Sequence, residues 1–236
     1  MSNNYVDNLS LVPRISKSQF DHAAECFLRD TCKEALERPM PVPIMEIARK
    51  KLGLRVLTDY HLSEDLSILG MCCFTTGVID VYDKEEDEFR EMAVRRGTIL
   101  IDPDTYFLRN LGCFDNTLSH ECVHWHDHRF YHFAQAGVNQ GTAIACRCPV
   151  ESKDESTQQT WTDEDWMEWQ ANGIAPRILM PKKTFPQQIE NIKRDIVSVE
   201  GLHHLADKAI IKRAADFFRV SLQSATIRVE ELGITL

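Results

Sequence analysis

The spacing of apolar residues changes period along the chain, and the changes outline a fold. Between residues 17 and 37, Phe20, Ala23, Ala24, Phe27 and Leu28 recur every three to four positions, which predicts one amphipathic helix. Pro41-Val42-Pro43 ends it and opens a second helix, with Ile44, Ile47, Ala48 and Leu52 as its apolar stripe and Gly53 as its stop. Beyond Gly53 the pattern becomes strand-like over Leu54 to Leu57, Ile68 to Phe74, Val78 to Tyr82 and Thr98 to Ile101, the last closed by Pro103. The charge-dense stretch from Asp83 to Arg90 reads as a solvated connection between two of these strands.

Helical spacing then returns. Asp115 or Asn116 is placed to cap a helix carrying His120 and His124. Thr162, followed by Asp163, Glu164 and Asp165, has the form of a capping box, with acids at the positive end of a helix that runs through Trp166 and Trp169 towards Pro176. Residues from Pro186 to Gly233 read as two or three further helices. Helices, then a small sheet, then helices is the order of an α+β fold, not of alternating βαβ units.

A length of 236 residues suits one good-sized core, or a domain with a helical appendage. The net charge of −9 and pI near 5.5 argue against a general nucleic-acid binder, whose affinity would rest on basic residues. The segment from Met1 to Phe20 is polar and lacks the apolar core of a secretory signal. No run approaches the roughly 18 apolar residues of a membrane span. A cytoplasmic location is therefore expected, and there the eight cysteines would stay reduced thiols. Cys146-Arg147-Cys148 has one intervening residue, too few for the usual structural zinc spacing, and Cys72, Cys73, Cys113 and Cys122 read as small core residues.

The sharpest chemical signal lies between residues 120 and 132, which hold five of the nine histidines. In His120-Glu121-Cys122-Val123-His124 the two histidines stand at i and i+4, on one helix face with Cβ atoms roughly 5–6 Å apart, so both imidazoles can reach one metal ion. Glu121 between them is placed to take a proton from water at that ion. A catalytic zinc usually has three protein ligands. Candidates for the third are Asp163, Glu164, Asp165 and Glu168; the first three sit in an opening helical turn where capping explains acids, so Glu168 is the choice. His126, His128 and His132 read as surface or supporting residues, and the three tryptophans near Glu168 as core anchors for its helix.

His120-Glu121-Cys122-Val123-His124, Glu168-Trp169-Gln170-Ala171-Asn172 and Ile178-Leu179-Met180-Pro181 together resemble the ImmA/IrrE family of metallo-endopeptidases. The Pro41-Val42-Pro43 helix, Leu52-Gly53, the strand Gly97-Thr98-Ile99-Leu100-Ile101-Asp102 and Asn116-Thr117-Leu118 extend the likeness from about Pro41 to Pro181, and Phe217 to Gly233 is similar to the family's C-terminal helices. The resemblance implies a zincin-like fold: a small, mostly antiparallel sheet beside the active-site helix, in a domain over residues 1–185 with a helical extension over 186–236. It implies Zn2+ held by His120, His124 and Glu168, with Glu121 as general base. It further implies an intracellular endopeptidase that cuts a partner helix-turn-helix repressor, in stress response or mobile-element control. Two departures stand out. The interval between His124 and Glu168 is long, marking residues near 132 to 162 as an insertion, and Pro176 is placed to bend or end its helix.

On this reading the substrate would lie extended along a sheet edge, with the strand near Thr98 to Ile101 supplying backbone pairing. Tyr131, Tyr106, Arg177, His203 and His204 all remain open as oxyanion donors. Two other functions compete. One is a non-proteolytic DNA-associated or partner-binding regulator, for which the helix-turn-helix grammar of Ala214 to Gly233 speaks and the intact Glu121 speaks against. The other is a deformylase-like hydrolase with Cys72, Cys73 or Cys113 as third ligand, a scheme that gives Glu168 no place.

Overall fold

The computed structural model describes residues 11–135, 142–149, 158, 160–197 and 203–236. Its first helix, α1 (Phe20–Thr31), is preceded by a tight turn at Lys17–Gln19 and followed by another at Lys33–Leu36, so the single helix expected over residues 17 to 37 is three pieces. The break falls where the Thr31 hydroxyl donates to the Phe27 carbonyl at 2.7 Å and Cys32 leaves helical geometry at φ −153°. The second helix, α2 (Ile44–Glu46), runs on as a widened turn over Ile47–Lys51. Gly53, at φ +68°, then takes the left-handed position that turns the chain into the sheet.

Six strands follow among the described residues: β1 (Arg55–Leu57), β2 (Ile68–Cys73), β3 (Gly77–Asp83), β4 (Glu88–Val94), β5 (Thr98–Ile101) and β6 (Ala145–Pro149). The main sheet has the order β1-β5-β2-β6; β1 and β5 are parallel, and the β5-β2 and β2-β6 pairs are antiparallel. β3 and β4 form a separate hairpin. The stretch from Asp83 to Arg90 is therefore only partly a connection, since Glu88 to Arg90 open β4. These residues are exposed and give no alternating signal, while Asp83 Oδ1 accepts the Glu85 and Glu86 amides at 2.9 and 3.2 Å and makes the turn.

α3 (Leu111–Val123) begins earlier than expected. Its cap is Asn110, whose Oδ1 accepts the Cys113 amide at 2.8 Å. Asp115 and Asn116 lie a turn inside, and Asp115 is committed to Arg219, 3.2 Å away. α3 continues through a widened turn at His124–His128 into α4 (Arg129–Gln135). α5 (Asp163–Leu179) starts in the Thr162–Asp165 capping box, with amide-to-side-chain distances of 2.9 and 3.2 Å, and it runs three residues past Pro176 instead of ending there. Three more helices close the chain: α6 (Thr184–Val197), α7 (His203–Phe218) and α8 (Leu222–Glu231).

The principal core lies where α5 packs against both α1 and α3, with β5 and β2 behind them. Phe20, Phe27 and Leu28 of α1, Leu118 and Cys122 of α3, Ile174 and Ile178 of α5, and Ile99 and Ile101 of β5 share one buried cluster, which Phe185, Ile189, Phe218 and Val229 of the last helices join. Each large apolar side chain buried there is worth roughly 1.5–3 kcal/mol. Gly173 permits the closest approach: a Cβ on it would lie 2.0 Å from the Phe20 ring. The other face of the sheet buries a smaller cluster that includes Leu62, Met71, Ile79, Val81 and Leu100. The architecture is thus α+β, with a small mixed sheet whose pairs, β1-β5 apart, are antiparallel.

Candidate metal centre

Two helices and one strand build the site. α3 presents His120, Glu121 and His124, all fully buried. α5 crosses it and presents Glu168 one turn below its capping box, held in place by aromatic packing: Trp169 sits edge-on to Phe20 at 4.5 Å and to Trp166 at 5.5 Å. The strand is β2. At Gly70 its backbone passes so close to Glu121 that a Cβ would come within 2.7 Å of Oε1. A glycine inside an apolar strand pattern is a signal of such an approach, and it went unread in the sequence.

The donor atoms converge. His120 Nε2 and His124 Nε2 stand 2.9 Å apart, and the two oxygens of Glu168 lie 3.2 Å from the first and 3.1 Å from the second. One ligand atom from each of the three residues lies within 4.8 Å of the others. Both histidine side chains have no solvent exposure, whereas Glu168 keeps 22%, so solvent reaches the cluster from the α5 side. Burial lowers the pKa of His120, against the opposing pull of Glu168. Burial alone would raise that of Glu168, but the two imidazoles outweigh it and hold the carboxyl below its ordinary value. Glu121 is pushed well up, first by burial and then by the charge on Glu168.

Whether these residues suit a zinc ion is decided by what each lacks. Two imidazole nitrogens aimed at each other next to a carboxylate form the N, N, O donor set of a zinc site with one position left for water. Both oxygens of Glu121 are buried with no hydrogen-bond partner, a costly arrangement for a carboxylate unless a cation or water serves it. The donor set fits.

A second row of contacts orients the first. His128 Nδ1 meets His124 Nδ1 at 3.1 Å, His128 Nε2 meets Gln170 Oε1 at 3.2 Å, and Gln170 Nε2 donates to the Pro13 carbonyl at 2.6 Å. Since the amide of Gln170 must donate to Pro13, its oxygen accepts from His128 Nε2–H. His128 Nδ1 then accepts from His124 Nδ1–H, which leaves the lone pair of His124 Nε2 aimed into the cluster. Of the two readings open for them, His128 and His132 take the supporting one: both are buried, and His132 stacks on Phe74 at 3.9 Å and contacts Cys146 Sγ at 3.2 Å. The spacing 120, 124, 128, 132 on one helix face was the available clue.

Other sequence candidates fall elsewhere. Asp163 pairs with Arg14, Glu164 accepts the Tyr131 hydroxyl at 2.8 Å, and Asp165 closes the capping box. Arg177 is tied to Glu231 at 2.7 Å and to the Gly173 carbonyl at 2.5 Å, away from the cluster. Tyr106 is half exposed. The side chains of His203 and His204 lie outside the described ones, as do residues 136–141, 150–157 and 159 of the interval read as an insertion. Cys72, Cys73 and Cys113 join no ligand group among the described residues, while Cys148 does, with His120 and Glu121. β5 is paired on both sides, so the strand near Thr98 to Ile101 has no free edge for a substrate. None of the described helices is long and apolar enough to cross a membrane.

Residues 148–230, about a third of the chain, match the family model described as the IrrE N-terminal-like domain, a peptidase family. The matched stretch contains Glu168 and the C-terminal helices but not His120 to His124. No curated protein and no solved structure matches the chain. Over that third of the chain the match agrees with the likeness to the ImmA/IrrE metallopeptidases, and the α+β architecture is compatible with it.

Proposed function

We propose that the protein is a zinc-dependent endopeptidase of the cytoplasm that hydrolyses a peptide bond in a regulator protein, a helix-turn-helix transcriptional repressor. His120, His124 and Glu168 hold the metal, and Glu121 is the general base. The observation that carries this reading is the convergence of two imidazole nitrogens and the Glu168 carboxylate at 2.9–3.2 Å beside a buried carboxylate without a partner.

When bound, zinc supplies a Lewis acid that polarises the peptide carbonyl and makes a water acidic enough to deprotonate near neutral pH. Glu121, pinned under Gly70, takes that proton and passes it to the leaving amine. Glu168 balances the charge, and the chain from His124 through His128 and Gln170 to Pro13 fixes the ring tautomer.

The test is cleavage of a repressor encoded beside this chain's gene, read by mass spectrometry. The native protein should cut it at one position. Glu121→Gln should retain zinc and lose cleavage by on the order of 10²–10⁴-fold. Full cleavage by Glu121→Gln would refute the assignment of the base, and DNA binding without cleavage by the zinc-loaded native protein would favour the regulator reading.

A further inference from the structure

The contacts behind His124 end on the N-terminal segment, and that segment is tied to α5 at more than one point. The Pro13 carbonyl accepts from Gln170 Nε2 at 2.6 Å, across 157 positions of sequence. Beside it, Arg14 pairs with Asp163 at 2.8 Å, and its guanidinium lies 4.9 Å over the Trp166 ring. Val12, on the other side of Pro13, is only 2% exposed. Residues 11–16 form no helix or strand of their own. A segment held in this way can lift without opening a helix or a sheet.

Gln170 is where this segment meets the metal centre. The residue is buried, with Oε1 3.2 Å from His128 Nε2, and His128 stands 3.1 Å from His124. A primary amide has nearly the same shape either way round, so His128 alone does not decide which end of Gln170 it meets. The Pro13 carbonyl decides, because it can only accept. It draws the NH2 group towards the N-terminal segment and so turns the oxygen towards His128. Lifting the segment therefore does more than break a surface ion pair. It strips a buried amide of a partner and frees the group that braces His124 to turn.

We propose that residues 12–14 are a positioning strap of the metal centre: docked on α5, they fix the Gln170 side chain, and through it His128 and His124, so that ion binding and strap docking favour each other. The inference rests on the zinc assignment proposed above and adds a remote control to it. Val12, Pro13 and Arg14 belong to none of the ligand groups; they act through Gln170. Reciprocity follows from thermodynamics. Whatever factor the docked strap adds to the affinity for the ion, the ion adds to the docking of the strap. Anything that lifts the N-terminal segment then weakens the hold on the metal.

Trypsin reads the strap without any assay of activity, because it cuts after Arg14 and tracks the population in which that bond is lifted. The full chain is stripped with chelator, and half is reloaded with one equivalent of zinc, confirmed by metal analysis. Cutting of the bond between Arg14 and Ile15 is then followed by mass spectrometry. Zinc should slow that cut by roughly 10-fold or more. Gln170→Leu, kept saturated with zinc, should lose this dependence, which a general stabilisation of the fold by zinc would leave in place. Val12→Ser should speed the cut and weaken zinc several-fold in a competition titration. An equal rate with and without bound zinc overturns the strap and leaves the zinc assignment standing. So does protection by zinc that persists in Gln170→Leu, or faster cutting of Val12→Ser at native zinc affinity. A native chain that takes up no zinc overturns both.

Discussion

Among the described residues, the surroundings of His61 and of His120 both bring histidine and carboxylate atoms close enough to hold a cation, and they are chemically opposite. Around His61, Asp102 and Asp104 every charge is answered by the protein. Asp102 accepts the Leu62 amide at 2.8 Å and the Asp104 amide at 3.0 Å, His61 Nδ1 stands 3.2 Å from it, and Lys84 pairs with Asp104. Around His120, His124 and Glu168, no lysine or arginine among the described residues pairs with the cluster, two ring nitrogens face each other, and both oxygens of Glu121 lack a hydrogen-bond partner. The first cluster is a finished structural joint between the loop after β1 and the end of β5. The second offers a donor set that an ion would complete. Proximity of ligand-type residues does not make a metal site; an unanswered electrostatic demand does.

Four perturbations sharpen or break this contrast. Chelation should be the largest. Because the ion binds the folded state, stripping it should cost about 3–4 kcal/mol of stability when free zinc stood at 100–1,000 times its dissociation constant, read as a fall in Tm. Removing both sides of the His61 joint should leave that fall unchanged. Next, Gly70→Ala drives a methyl to within 2.7 Å of Glu121 Oε1, so kcat should drop on the order of 10²-fold with zinc content preserved. Undiminished turnover would mean that Glu121 is not held by β2. Third, Gln170→Leu breaks the relay behind His124 and should weaken zinc by roughly 10–100-fold in a competition titration, whereas His61→Asn should not alter zinc affinity.

The smallest effect is a pH slope. Burial raises the Asp115 carboxyl to about 6 despite the pull of Arg219. Its folded pKa lies above its unfolded value, so the folded state binds the proton more tightly. The associated stability is present in acid and declines as pH rises from about 4 through about 6. Asp115→Asn should remove that decline, a difference on the order of 1–2 kcal/mol between pH 4 and pH 7 in urea melts. A variant with the native slope would show that Arg219 compensates fully.

What the sequence made legible was whatever is local. His120 and His124 announce themselves because i and i+4 share a helix face, and Glu168 because capping accounts for its acidic neighbours and not for it. The four strands with apolar alternation were readable, as was the Thr162 capping box. Pairing was not. Nothing in Thr98-Ile99-Leu100-Ile101 says that both its edges are taken, and the five residues Ala145–Pro149 are too short and mixed to read as a strand until β2 is seen beside them. β4 was missed for a related reason: most of its residues face solvent, so no period betrays it. The Asn110 cap lost out to Asp115 and Asn116 because a cap is recognised by what it bonds, and the demand of Arg219 for Asp115 spans about a hundred residues. His128 and Gly70 left a trace in spacing and in strand pattern, but what they touch, like the relay through Gln170, takes three dimensions to see.

The central claim is that one ion completes the buried cluster of α3 and α5. Zinc bound per chain, measured by mass spectrometry of metal on the purified native protein and on Glu168→Ala at matched protein concentration, tests it most directly. The account predicts one equivalent in the native protein and a substoichiometric amount in the variant. One equivalent in both, or none in the native protein after zinc loading, would contradict it.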